Sequence, residues 1–274
     1  MKYIAVLLTV FNRKQQTLNC LKELFKQEIP KGYTICVYLT DDGCTDGTPE
    51  AVRKMFPDVR IIKGDGTLFW NRGMWTAWDF AANEKDYDYY LWLNDDTFLF
   101  DGAIFRLLES SRTKSDEAII IGATVDTITK RVQTYGGRIN ELLAPCEGYD
   151  LECEHFNGNI VLIPRSVFRI LGNLDYNLVH SLGDFDYGWR AQKAGIKMYQ
   201  CGTYLGACDT HQQIAKWCDP NVSIIERWKA LHRPNGMPPS IIFYITKKHK
   251  GVFSALSSSI KVYIRCLLPW LWKK

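Results

Sequence analysis

Through residue 122 the chain alternates short, nearly unbroken apolar runs with amphipathic stretches, which restricts it to very few architectures. Residues 3–10 (YIAVLLTV) carry no charge, as suits a strand buried on both faces of a parallel sheet. Residues 13–27 then place Leu18, Leu21, Leu24 and Phe25 on one helical face, and Pro30-Lys31-Gly32 stops that helix. The same alternation predicts strands over 34–40, 59–63, 89–93 and 118–122, with helices over 48–56, 74–83 and 101–112. Pro49 suits the first turn of the second helix. Strand–helix–strand order of this kind implies a parallel sheet with right-handed crossovers.

The second half is less regular. Residues 125–137 read as a hairpin with a Gly-Gly turn, 159–163 as a strand, 164–171 as a short helix and 184–195 as a helix closed by Gly195. From about Pro239 onward aromatic and aliphatic residues interleave with lysine and arginine. A chain of 274 residues buries enough surface to fold without a metal or disulfide staple. Nine cysteines, an odd number with no CxxC pair, suit reduced thiols and a cytoplasmic setting rather than a zinc ribbon or a secreted framework. The N-terminal apolar run ends in Phe11-Asn12-Arg13 without a small-residue cleavage site and reads as a strand. No stretch reaches the ~18 apolar residues of a membrane span. A net charge of +4 is too small to indicate nucleic acid.

Acidic residues collect where ligands bind in open α/β sheets, beyond the carboxyl ends of strands. Asp41-Asp42 follows the second strand, Asp95-Asp96 the fourth, and Asp184 with Asp186 opens a later helix. Acids facing one cleft repel unless a cation enters. Carboxylates suit Mg²⁺ or Mn²⁺, and Mg²⁺ is commonly shared between one or two carboxylates and substrate phosphates. The pattern therefore implies a metal-assisted site for a diphosphate-bearing ligand. Turn chemistry alone also explains Asp41, Asp42 and Asp46, and Asp184 alone suits a helix N-cap. Asp95-Asp96, one residue past LWL, is harder to explain that way. Asp184 and Asp186, two residues apart, do not share a helical face, so at most one of them points into the cleft.

LTVFN, DDGCTDGT, LNDD and GDFDYGWRAQKAG, in that order, resemble the family-2 glycosyltransferases of the GT-A fold over roughly the first 215 residues. The resemblance implies an α/β fold with a Rossmann-like, mostly parallel central sheet flanked by helices, a smaller mixed acceptor-side region and a helical C-terminal tail. It divides the chain into a catalytic domain over 1–222 and an extension over 223–274. Within the former, 1–122 is the nucleotide-sugar half and 123–222 the acceptor side. It also implies roles. Thr9 and Phe11 line the nucleotide base, and Asp42 accepts a hydrogen bond from a pyrimidine imide, which uracil and thymine have and cytosine lacks. Asp95 contacts ribose or donor sugar, and Trp70, Asn71 and Arg72 lie near the donor, with Trp75 and Trp78 in the core. Asp96 is the metal ligand and His211 a second one, the alternative being a packed or surface histidine. Asp184 is the general base, with Asp186 as the alternative and otherwise a substrate contact. Asn94 departs from the usual first acid of the DxD element.

These roles imply an inverting, Mn²⁺- or Mg²⁺-dependent transfer from a UDP- or dTDP-sugar to a hydroxyl of a glycan or lipid-linked acceptor in cell-surface polysaccharide synthesis. The sugar would be a hexosyl or deoxyhexosyl group. The alternatives are a non-catalytic nucleotide-sugar-binding module and a sugar nucleotidyltransferase. The latter wants a Gly-rich loop where FNRKQQ stands, and a dehydrogenase wants an absent GxGxxG. The basic-aromatic tail reads either as a contact with the inner face of the cell membrane or as a helix packed on the catalytic domain.

Overall fold

A computed structural model describes residues 1–210 and 214–272. The first half follows the alternation closely. It runs β1 (Lys2–Val10), α1 (Lys14–Phe25), β2 (Tyr33–Asp41), α2 (Thr48–Met55), β3 (Arg60–Lys63), α3 (Phe69–Glu84), β4 (Tyr89–Leu93), β5 (Phe98–Leu99), α4 (Ala103–Thr113) and β6 (Ile119–Val125). Helix α3 begins five residues before the expected 74, at the left-handed Phe69. The second half adds β7 (Gln133–Tyr135), β8 (Gly137–Ile139), β9 (Leu142–Leu143), β10 (Leu151–Glu152), β11 (His155–Phe156) and β12 (Ile160–Pro164). Helices α5 (Arg165–Leu171) and α6 (Gly183–Lys193) precede β13 (Met198–Ala207). Last come α7 (Ile224–Leu231), α8 (Pro239–Lys250) and α9 (Val252–Leu267).

The main sheet has the order β10-β13-β6-β12-β4-β1-β2-β3. Its β3–β2–β1–β4 half is wholly parallel, so Val10, Asp41 and Lys63 end side by side. Strand β12 runs antiparallel between β4 and β6, which makes the sheet mixed rather than parallel throughout. It reaches its place from a small three-stranded sheet, β11-β8-β9, and an antiparallel neighbour needs no crossover helix. The hairpin expected over 125–137 forms between β6 and β7, but its turn is not Gly136-Gly137. The Asp126 carboxylate accepts from the backbone N–H groups of Thr129, Arg131 and Val132 and closes the loop there. Gly136 and Gly137 instead carry the chain from one sheet to the other, packed so tightly that a Cβ on Gly137 would lie 2.2 Å from the Cys153 sulfur.

Strand alternation sorts the core onto two faces. Ile4, Val6, Leu8 and Val10 meet Leu21 and Leu24 of α1 and Ile104, Leu107 and Leu108 of α4. Ala5 and Leu7 meet Met74, Ala77 and Trp78 of α3, with Val167 and Tyr187 completing that layer. Trp78 is fully buried, whereas Trp75 is half-buried with its ring 4.8 Å from that of Tyr176. All nine cysteines are free thiols. Residues 1–176 and 182–210 form one compact unit, and residues 177–181 and 211–274 a second. In the second, α7, α8 and α9 enclose Leu231 and Cys266, and the Arg227 guanidinium donates to the carbonyls of Val222 and Cys266.

Candidate active site

The loop after β2 is built by its own acids. The Asp41 carboxylate accepts from the Cys44 N–H at 2.8 Å. Asp46 accepts from the N–H groups of Thr48 and Lys14, the latter at the start of α1, and this bonding holds its carboxyl below the usual range. Asp42 reaches further. Its two oxygens accept from the backbone N–H groups of Gly66, Leu68 and Phe69 at 2.9, 3.1 and 2.8 Å, fixing the segment that launches α3. A Cβ on Gly64 would lie 3.0 Å from the same carboxylate. Thr9 sits under this helix, where a Cβ on Gly73 would collide with its hydroxyl. Phe11, at the end of β1, is exposed.

Because α3 starts at Phe69, Trp70 is delivered to the end of β4, where its indole N–H donates to the Asn94 side-chain oxygen at 2.8 Å. Asn94 is the residue that departs from the usual acid, and an amide oxygen there accepts an indole proton without adding a third charge to Asp95-Asp96. Gly158 closes the opposite side. A Cβ there would lie 2.7 Å from the Trp70 ring and 3.5 Å from the Asp184 Cβ, so only glycine lets the three approach. The Gly158 N–H donates to the Asp184 carboxylate at 3.1 Å, and the Phe185 N–H donates to it at 2.9 Å.

Partial burial pushes the Asp184 carboxyl up to about 6, against the opposing pull of those two N–H groups and the more distant Arg138 charge. Asp186 has a different environment. It is fully buried and paired with Arg190 at 2.8 Å, while that guanidinium also donates to the carbonyls of Leu171 and Asn173. Asn71 is buried as well, donating to the Asp175 carbonyl at 2.8 Å, and a Cβ on Gly183 would strike its side chain.

Asp95 and Asp96 share one cation. Arg13 Nη1 lies 3.2 Å from an Asp95 oxygen and 2.6 Å from an Asp96 oxygen. Burial pushes Asp95 up to about 7 despite Arg13, with the Asp96 charge adding to the rise. The Cys208 thiol donates to the other Asp96 oxygen at 3.6 Å, and the Asn159 amide donates to that sulfur at 3.5 Å. Burial and the neighbouring Asp96 raise the Cys208 thiol to about 12, so it stays protonated. Arg13, Cys208 and Gly158 escaped sequence reasoning. Only Arg13 left a signal, a cation immediately after the first strand and opposite LNDD.

Asp184, Gly158, Trp70, Asn94, Asp96 and Arg13 thus belong to one stretch of touching or closely neighbouring groups, and Asp42 holds the loop that positions Trp70. Three residues around it, Asn12, Phe69 and Leu182, have left-handed backbones with φ of 51°, 55° and 72°. Such conformations are costly for bulky side chains and gather at functional sites.

The Arg13 guanidinium pairs with both acids. Among the described residues no group of three His, Cys, Asp or Glu side chains could hold a metal alone. A cation here would therefore need phosphate oxygens to complete its shell, and Asp96, partly exposed, suits that mode. His211 lies outside the described residues.

A family model for "Glycosyl transferase family 2" matches residues 5–169. The chain belongs to glycosyl transferase family 2. It is a glycosyltransferase of the GT-A fold. Among solved structures it is similar to S. aureus TarS residues 1–349, at 10 % identity and a TM-score of 0.55, covering 96 % of this chain and 72 % of that one. A longer S. aureus TarS structure matches at 10 % identity and 0.54, covering 96 % of this chain and 44 % of that one. At such identity the likeness is one of fold. No curated protein sequence matches the chain. A glycosyltransferase of this fold takes a sugar from a nucleotide-sugar donor to a glycan acceptor. No helix among the described residues is long and apolar enough to cross a membrane.

Proposed function

We propose that the chain is an inverting, metal-assisted glycosyltransferase that moves a hexosyl or deoxyhexosyl group from a UDP- or dTDP-sugar to a hydroxyl of a glycan or lipid-linked acceptor in cell-surface polysaccharide synthesis. The observation that carries this reading is the approach of both Asp184 and Trp70 to Gly158, together with the bond from the Trp70 indole to Asn94 at the Asp95-Asp96 strand end.

Asp184 is the general base. Partly desolvated and held near 6, it is ionised at neutral pH yet basic enough to take the acceptor hydroxyl proton as the oxygen attacks the anomeric carbon. The bond from that carbon to the diphosphate breaks in the same displacement, which inverts the configuration. Asp186, sealed against Arg190, is the weaker candidate for either a base or a substrate contact. Asp96 would hold Mn²⁺ or Mg²⁺, which when bound neutralises charge on the departing diphosphate. Arg13, which pairs with both carboxylates, would supply a positive charge beside the phosphates. A carboxylate offers about four acceptor positions. Three N–H groups on Asp42 leave one for a pyrimidine imide, and exposed Phe11 offers a ring for the base.

Calorimetry with UDP, dTDP and CDP in the presence of Mn²⁺ tests the donor assignment. Binding of UDP or dTDP at least about tenfold tighter than CDP is expected, as one buried acceptor discriminates by that much. Equal binding of all three overturns it.

A further inference from the structure

We propose that α9 docks the protein on an anionic phospholipid bilayer, lying along the headgroup plane with one face inserted. Phe253, Leu256, Ile260, Ile264 and Leu267 are all exposed. Their spacing of three or four residues lays them in a single stripe along the helix. The opposite face is already in use. Ala255 and Cys266 are buried, Ser259 donates to the Pro239 carbonyl at 3.2 Å, and Tyr263 stacks on Trp228 with ring centres 5.4 Å apart. The stripe is therefore a second apolar face, and Phe253 at its start is 90 % exposed. Trp270, Leu271 and Trp272 continue the exposure past the helix end. A contiguous apolar surface of this kind marks an interaction site.

Charge decides the occupant. From Pro239 to the end the sequence holds no Asp or Glu, while Lys247, Lys248 and Lys250 close α8 and Lys261 follows the stripe residue Ile260. A two-fold dimer through this face would set those cations against their own copies. An anionic bilayer complements them, and lysine stems reach headgroups while apolar neighbours insert. Length fixes the orientation. The 16 residues of α9 span about 24 Å, short of the ~30 Å hydrocarbon core, so the helix lies on the membrane. Tryptophans at the end of such a helix suit the interface. The proposal is independent of the donor, metal and base assignments.

Co-sedimentation of the full chain with phosphatidylcholine vesicles, with and without phosphatidylglycerol, tests it. Binding to the anionic vesicles, with a blue shift of tryptophan fluorescence, is expected. Joint replacement Leu256→Ser, Ile260→Ser and Ile264→Ser should cut partitioning at least about tenfold. Each of Lys247→Gln and Lys261→Gln should cut it about fivefold at low salt. Phe253→Ser, at the most exposed position, gives the same direction should the triple variant fold poorly. Failure to bind anionic vesicles overturns the proposal. So does unchanged binding by a folded stripe variant, or a wild-type dimer that the stripe variant dissociates.

Discussion

Replacing Asp184 by Asn separates catalysis from stability at one side chain. The carboxyl is raised from an ordinary 3.8 to about 6, a gap equivalent to at most about 3 kcal/mol, and less to the extent that solvent reaches it. Because the folded state holds this proton more tightly, the group's contribution to stability is greatest below the unfolded value and is lost as pH rises through 6. Asn cannot ionise and escapes that loss. It also gives up one of two acceptors, for the N–H of Gly158 or of Phe185, at about 1 kcal/mol. The variant should therefore be more stable by about 1–2 kcal/mol at pH 8, a rise of about 2–6 °C in Tm, with the difference gone by pH 4. Transfer should fall by about 10²–10⁴, the usual share of a general base. The wild-type kcat/KM should decline about tenfold per pH unit below about 6, and the variant's residual rate should lack that limb. Scanning calorimetry at the two pH values and a discontinuous transfer assay read both quantities. Wild-type transfer by Asp184→Asn, or equal Tm shifts at pH 4 and pH 8, would refute the reasoning.

Three further outcomes follow from the same geometry. Gly158→Ala should push the Trp70 ring from Asn94 and cost about 1–3 kcal/mol by overpacking, with donor KM rising more than kcat falls; an unchanged Tm and KM would contradict this. Asp42→Asn converts one of two acceptor oxygens to a donor facing backbone N–H groups, so a loss of about 2 kcal/mol and faster hydrogen exchange at the Gly66, Leu68 and Phe69 amides are expected; unchanged protection would contradict it. Excess chelator should abolish transfer and added Mn²⁺ restore it, since among the described residues Arg13 is the one cation paired with Asp95-Asp96; undiminished transfer in chelator would remove the metal from the reaction.

Much of the parallel half was legible because its strands are buried on both faces and read as unbroken apolar runs, as in 89–93, which matches β4 residue for residue. The acid-bearing loops were legible too, since the acids collect beyond the carboxyl ends of strands, where open α/β sheets bind ligands. In the mixed half β12, α5 and α6 were legible as well, whereas the small sheet and β13 were not. Strand β13 has two small glycines, Gly202 and Gly206, chosen for close backbone approach rather than strand propensity, so its ten residues carry no clean period. Gly136-Gly137 looked like a turn because glycine pairs usually are, whereas here tight packing requires them and Asp126 makes the turn. Asp184 and Asp186 could not be separated by sequence, because only the fold supplies Arg190 to one and the Gly158 N–H to the other. The pairing of Arg13 across the sheet with Asp95 and Asp96 likewise depends on β1 lying beside β4, a neighbour relation that no local pattern encodes.

The most direct test is a panel of nucleotide-sugars incubated with the purified protein, Mn²⁺ and a glycan or lipid-linked acceptor extract, scored by released nucleoside diphosphate. Release from a UDP- or dTDP-sugar, dependent on acceptor and lost together in Asp96→Asn and Asp184→Asn, is expected. Release confined to other nucleotides, or untouched by both substitutions, would contradict a single glycosyl-transfer site built from those two acids.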